Sequence, residues 1–366
     1  MIKIDLKKDA EKVKLLKGIG SKDGRAYEET LAALVGPIVE QVLEQVTTSS
    51  LVFKQFTYDF DTEPTIPLDL FEGNEEGLID IWSLSVAGGL PTNEIRGMSD
   101  YRMSTYRLDS AVSFKKRYAR DARLDVVARG IKRMSEELAV KTEYNSWAVL
   151  LAALAGSASY NSTDAHLIDA TTADVFQPDD VNRLWTAVKR LRTSWVGGSP
   201  SMLPYRGLTD LVVSPEVTAQ IRSWSYNPVN SRAIPDTAES TALGLPDSVR
   251  TQIWNSAGTT ELWGVNFIEL LEFGVGRSLN SLFDSFYTAA GSEPGFTGAS
   301  DELALGLDLS TDAFVRVRST NPETNSTVTV EVDDQFVRRQ EKFGWYTAIE
   351  GGEACIDNKA MFGIVI

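Results

Sequence analysis

Three features of the chain predict an α+β fold: one long helix-forming run near its middle, short alternating apolar runs on either side, and no regular alternation of strand with helix. The helical run, Asp121 to Ala155, covers 35 positions with no proline and a single glycine, Gly130. At 1.5 Å per residue it would extend roughly 50 Å, the length of a strut rather than of a helix inside a small domain. Leu124, Val127, Ile131, Met134 and Leu138 form one apolar stripe, and after a gap Tyr144, Trp147, Leu151 and Leu154 form another. A coiled coil would sustain one heptad, so this helix is expected to pack on its own protein.

The other elements follow in order. Residues 1 to 25 hold eight Lys or Arg against four acids and form a basic arm, with Leu6, Val13 and Leu16 among the lysines. Asp23 to Thr48 reads as helix, with Pro37 at a start or kink. Ser50 to Phe60 alternates as a strand, and Asp80 to Val86 and Tyr101 to Phe114 are returning strand-like runs, so the chain makes a long two-stranded excursion. Pro178 to Trp195 is a second helix capped near Gln177 to Asp179, and Leu211 to Ser214 is a buried strand before a helix opened by Pro215. Tyr226 to Ser256 reads as loop. Leu262 to Phe273, Leu303 to Leu309, Phe314 to Arg318, Thr327 to Val332, Phe343 to Glu350 and Ala360 to Ile366 read as strands, with a hairpin around Thr320 to Ser326.

At 366 residues, two or more lobes are expected. No run approaches the about 18 apolar residues that span a bilayer, and MIKIDLKKDAEKVKLL lacks the apolar core of a secretory signal, so a cytosolic protein is expected. The single cysteine, Cys355, reads as a buried structural thiol, and the single histidine, His166, lies in a Ser/Thr/Asn/Asp-rich stretch with no chemical role assigned to it. His and Cys supply most nucleophile–base pairs and transition-metal ligands, so much catalytic chemistry is closed.

What remains is thin. Ser113 to Lys116 matches S-x-x-K without its companion motifs, and Gly274-Val-Gly276 lacks the residues that cradle phosphate. The pairs Asp179-Asp180 and Asp333-Asp334 leave an acidic carboxylate-pair hydrolase as a distant alternative. No catalytic, cofactor or metal residue is assigned, and the tryptophans are expected in the core.

Charge is more informative. The net charge of −15 opposes wholesale binding of nucleic acid. Tyr58 to Asp80 carries eight acids, among them Asp69, Glu72, Glu75, Glu76 and Asp80, and no base. Lys115 to Arg133 carries eight bases, among them Lys115, Lys116, Arg117, Arg120 and Arg123, against two acids. Complementary blocks in one chain favour a meeting within or between subunits, which would set register more than affinity.

The C-terminal stretch from Gln335 to Ile366, QFVRRQEKFGWYTAIEGGEACIDNKAMFGIVI, resembles the closing segment of tailed-phage major capsid proteins of the Hong Kong 97 type. Asp210-Leu-Val-Val-Ser-Pro215 resembles that family as well, as does the order of parts: arm, extended loop, spine helix, then a lobe with an excursion. The resemblance implies a Hong Kong 97-type capsid fold, with residues 1–49 as N-terminal arm and helix and 50–114 as extended loop. It places the peripheral domain at 115–205, completed by about 310–345, and the axial domain at 206–309, completed by about 346–366.

It further implies a structural, non-enzymatic subunit that assembles as pentamers and hexamers into an icosahedral head around double-stranded DNA, without sequence-specific binding and without a membrane. The acidic tip at Asp69 to Asp80 would reach the basic region of a neighbour. Some family members weld the shell through a lysine of the extended loop, but no lysine lies between Lys54 and Lys115. Non-covalent contacts or a cement protein are therefore expected. The N-terminus leaves no room for a built-in scaffolding segment, so a separate scaffolding protein is expected, together with a portal protein. The expected location is the virion, after assembly in the host cytoplasm; an encapsulin-like compartment shell is the alternative on the same fold.

Overall fold

The structure, a computed structural model, describes residues 47–59, 62–67, 100–115, 124–158, 165–192, 207–224, 247–255, 261–291, 295–310, 312–320, 327–332 and 342–366. In chain order its strands and α-helices are β1 (Lys54–Asp59), β2 (Thr65–Pro67), β3 (Asp100–Arg102), β4 (Tyr106–Lys115), α1 (Leu124–Ala155), β5 (Leu167–Asp169), α2 (Pro178–Arg192), β6 (Asp210–Val213) and α3 (Pro215–Ser223). They continue with α4 (Asp247–Asn255), β7 (Glu261–Leu262), β8 (Val265–Glu269), α5 (Ser278–Ala289), β9 (Leu303–Leu307), β10 (Phe314–Thr320), β11 (Val328–Val332), β12 (Lys342–Cys355) and β13 (Met361–Val365). The expected α+β mixture is observed. The chain divides into two compact units, one of Met1–Ile66, Arg102–Ser146 and Val315–Ala354, the other of Pro67–Tyr101, Trp147–Phe314 and Cys355–Ile366.

The first unit is built on a sheet of order β1-β10-β12-β11, with β4 also paired to β12. Strand β12 is 14 residues long and takes β11 and β4 as antiparallel neighbours, the latter from Gly351 opposite Tyr106 to Lys342 opposite Lys115. Along β4, Tyr106, Leu108, Ser110, Val112 and Phe114 turn to the covered face, while Arg107, Asp109, Ala111, Ser113 and Lys115 are exposed. The covered face receives α1: Ile131, Met134 and Leu138 pack with Leu108, Val112, Val328, Val330 and Ile349. The helix has a partner in its own unit, and the stripe at three- and four-residue spacing is the surface that meets it.

The second unit holds a six-stranded mixed sheet of order β5-β13-β9-β6-β8-β7. Val181, Leu184 and Val188 of α2, Val217 and Ile221 of α3 and Ile253 of α4 share one buried cluster with Leu211, Val213, Phe362 and Ile364 of the sheet. Gly306 makes this packing possible, since a Cβ there would meet Leu208 Cδ1 at 2.6 Å and Leu184 Cδ2 at 2.8 Å. The last two turns of α1 bury Trp147, Leu150, Leu151 and Leu154 in this unit, with the Trp147 ring edge-on to Phe273.

Several elements depart from the sequence reading. Tyr144, placed on the second apolar stripe, is exposed beneath the Lys141 ammonium, and Leu150 takes the buried role instead. Strands β10 and β11 are not a hairpin, because each pairs with β12 instead of with the other: at 14 residues it is long enough to take both. The run from Leu262 to Phe273 is broken by a turn at Trp263 and Gly264, both at positive φ. The region read as loop contains α4, and α5 went unread although Leu279, Phe283 and Tyr287 mark its buried face. The basic arm, the helix expected before Thr47, the acidic tip, the strand at Asp80 to Val86 and the turn at residues 321–326 lie outside the described residues.

The single glycine of α1 sits where the helix meets β4: a Cβ on Gly130 would lie 2.3 Å from Phe114 Cζ. Gly130→Ala gains about 1 kcal/mol of helix propensity but forces an overpacked contact costing about 1–3 kcal/mol. A lower urea midpoint is expected for Gly130→Ala and a recovered one for Gly130→Ala with Phe114→Leu; a midpoint raised by Gly130→Ala alone would show that Phe114 yields freely.

Candidate subunit-contact surface

The sheet of the first unit is covered by α1 on one face, and the opposite face of β4 and β12 is polar. In the antiparallel register Lys115 stands opposite Lys342, Ser113 opposite Gly344, Ala111 opposite Tyr346 and Arg107 opposite Glu350. Arg107 Nε donates to Asp109 Oδ1 at 2.8 Å, the Tyr346 hydroxyl donates to the same oxygen at 2.7 Å, and the Arg107 guanidinium also reaches the Tyr346 oxygen. These bonds, the Tyr346 one first, hold the Asp109 carboxyl below the usual carboxylate range. At the other end of the strand Lys115 is exposed and stands opposite Lys342.

Beneath this surface lies a buried ionic network. Glu353, with no exposed side-chain area, is 3.2 Å from Arg316 Nε and 3.1 Å from Arg318 Nη2, and accepts the Tyr106 hydroxyl at 2.5 Å. Arg316 Nε meets the carboxylate as an ion contact outside hydrogen-bond geometry, and its Nη2 donates to Ser49 Oγ at 2.5 Å and to Ser146 Oγ at 2.7 Å. Ser49 in turn donates through Oγ at 2.8 Å and through its backbone N–H to Glu143, which the Thr48 hydroxyl also reaches. Burial lowers the Arg316 pKa, with Arg318 adding to the shift, while burial and the Glu353 charge push Tyr106 up to about 12. Two arginines against two glutamates, tied by hydroxyls, make a closed structural arrangement. No sequence motif marks it.

In the second unit several of the chemical candidates have structural partners. Asp180 is fully buried and takes Thr171 N–H and Oγ1 on one oxygen and Gln177 N–H on the other, fastening a turn to the start of α2 rather than serving as acid or base. Gly274 and Gly276 do form a turn at positive φ, but the Glu216 carboxylate lies 3.1 Å from the Cβ position of Gly274, where phosphate would be repelled. His166 is buried, stacked on Phe362, with Nδ1 3.2 Å from the Asn358 carbonyl, and burial lowers its pKa. Glu302 is buried and hydrogen-bonded by Ser214, and burial raises its pKa.

Of the ten charged residues singled out for subunit contact, Lys115 is described and exposed; Asp69, Glu72, Glu75, Glu76, Asp80, Lys116, Arg117, Arg120 and Arg123 lie outside the described residues. Asp333 and Asp334 lie outside them too. Cys355 is half-buried rather than buried. Trp147, Trp224 and Trp345 are core residues, whereas Trp254 and Trp263 are largely exposed. Among the described residues no helix is long and apolar enough to cross a membrane.

No family model matches the chain, and no curated protein matches it. Among solved structures it is similar to the capsid of Cyanophage P-SCSP1u, with 13% identity, 86% of each chain covered and a TM-score of 0.48. It is similar to the capsid of a native GTA particle, with 11% identity over 87% of this chain and 89% of that one and a TM-score of 0.49. A structure of Microbacterium phage Oxtober96 is similar at 11% identity over 87% and 90%, with a TM-score of 0.49.

Removing Glu353 strands two buried guanidinium groups. Glu353→Ala is expected to cost about 3–5 kcal/mol in urea unfolding, and a loss under about 1 kcal/mol would show that water satisfies the arginines. Tyr106 favours its neutral form in the folded chain: its contribution is complete below the unfolded pKa of about 10 and lost as pH rises through about 12. Stability should therefore fall more steeply between these values in the wild type than in Tyr106→Phe. The sign is opposite for His166, whose folded pKa is depressed. Its contribution is present above about pH 6.5 and lost as pH falls, so His166→Gln should flatten the decline of Tm as pH falls below about 6.5.

Proposed function

We propose that this chain is a structural subunit that self-assembles as pentamers and hexamers into the icosahedral head of a tailed phage, enclosing double-stranded DNA. The observation that carries this reading is the construction of the first unit. The part of α1 that belongs to this unit packs through Ile131, Met134 and Leu138 on one face of a sheet, the other face of β4 is exposed and carries charge, and strands β2 and β3 pair with each other. The order of arm, excursion, long helix and second lobe is the order that the C-terminal resemblance leads one to expect. The buried ionisable groups described above are bound to one another, to hydroxyls or to backbone, a use of charge that suits a building block.

On this reading residues 50–114 form the extended loop, 115–205 with about 310–345 the peripheral domain, and 206–309 with about 346–366 the axial domain. The acidic segment of Asp69, Glu72, Glu75, Glu76 and Asp80 meets the basic region of Lys115, Lys116, Arg117, Arg120 and Arg123 on an adjacent subunit. That charge match steers encounter, and buried apolar area then holds the shell. A scaffolding protein, a portal protein and a cement protein are the further partners, with assembly in the host cytoplasm before the virion is complete.

Negative-stain electron microscopy with light scattering tests the reading on the full chain, at low and high salt and with any co-encoded scaffold. Closed particles tens of nanometres across, or rings of five or six, are the expected outcome, with salt slowing early assembly more than it loosens finished particles. A monomer under every condition would overturn self-assembly, and particles filled with a protein cargo instead of DNA would identify a compartment shell.

A further inference from the structure

Strand β4 is ten residues long and takes β12 on one edge; among the described residues its other edge borders no strand. An edge of this length is a template for a further strand. Two copies joined there by a two-fold axis normal to the sheet keep each side chain on its own face, so the numbers of opposed residues must sum to an even value.

Charge then selects the register. A register centred on Ala111 sets Arg107 against Lys115 of the second copy, and one centred on Ser110 opposes no charges at all. Centred on Leu108 it pairs Arg107 with Asp109, but only Tyr106–Ser110 overlap. Centred on Val112 it overlaps Asp109–Lys115 and sets Asp109 opposite Lys115 twice, with Val112 facing its own copy and Ala111 facing Ser113.

The exposed face is prepared for that last arrangement. Asp109 receives both Arg107 Nε and the Tyr346 hydroxyl on Oδ1, which orients the carboxylate, and both of these bonds fall on one of its two oxygens. Lys115, exposed at the end of β4, is a cation to which a carboxylate directly opposite can pair. On the covered face the half-buried Val112 and Ser110 would be closed over by Val112 and Phe114 of the second copy.

We propose that β4 is a two-fold self-association edge on which two copies pair antiparallel about Val112, each Lys115 bridged to Asp109 of the other. The proposal rests on the reading of this chain as a self-assembling subunit and adds to it a specific two-fold contact; Lys116, Arg117, Arg120 and Arg123 remain for the acidic segment of a neighbour.

Cysteine cross-linking of the full chain in a Cys355→Ser background tests it. Asp109→Cys and Lys115→Cys proteins are oxidised separately and as an equal mixture. Opposed Cα atoms about 4.5–5.5 Å apart fall within disulfide reach, whereas residue 109 and its own copy would be about 20 Å apart. A disulfide dimer is therefore expected in the mixture and not in either protein alone, and Val112→Cys should dimerise by itself. Lys115→Glu should weaken self-association about tenfold, since both bridges become repulsive.

No mixed dimer, or dimers from Ser110→Cys in place of Val112→Cys, would overturn the proposed register. Rings or particles formed without the mixed dimer would remove the β4 contact and leave the shell reading intact. The mixed dimer in a protein that never forms rings or particles would keep the contact and remove the shell.

Discussion

The fully buried carboxylate of Glu353 is the constraint on which the first unit turns. It lies between the guanidinium groups of Arg316 and Arg318 and takes the Tyr106 hydroxyl. Through these contacts β12 is tied to β10 and β4, and through Ser49 and Ser146 the Arg316 end reaches Glu143 on α1 and the turn before β1. Such a network contributes little by its Coulomb energy alone, because desolvating four charges offsets most of what their pairing returns. Its effect is selectivity: any strand register that displaces Glu353 leaves buried guanidinium groups without a counter-charge.

With that interior fixed, the two faces of the sheet are free to differ. The covered face is apolar and matched to the stripe of α1 at Ile131, Met134 and Leu138. The exposed face of β4 carries charge at Arg107, Asp109 and Lys115, with Asp109 already oriented by its neighbours. A strand that alternates in this way satisfies its own unit with one side and presents chemistry with the other. The proposed self-association uses the presented side and leaves the core untouched.

The second unit uses polar groups in a different way. Asp180, Ser214 and His166 are buried one at a time, each satisfied by local backbone or a neighbouring side chain, around a core built from α2, α3 and α4 against the sheet. The Ser214 cap with Pro215 behind it starts α3 with one side-chain hydrogen bond to Val217 N–H. The exposed Trp263, at positive φ in the β7–β8 turn, runs against the usual preference for glycine there.

What the sequence determined by itself was whatever depends on neighbours along the chain. The 3.6-residue period announced α1 and the face it buries, strict alternation announced β4, and Ser-Pro announced the start of α3, because these signals are written within a few turns or strand positions. It also placed the charge blocks, of which Asp59, Glu63, Lys115, Arg129, Lys132 and Arg133 are among the described residues. Tertiary structure alone decided which charges go inside. Arg316, Arg318 and Glu353 look like ordinary strand charges in sequence, and they are buried because β1, β4, β10 and β12, brought together from distant parts of the chain, close around them. The same holds for β10 and β11 pairing with β12 instead of with each other, and for the ring of Phe114 that meets the lone glycine of α1. Burial, strand order and close approach are properties of pairs of residues far apart in the chain, and no local pattern encodes them.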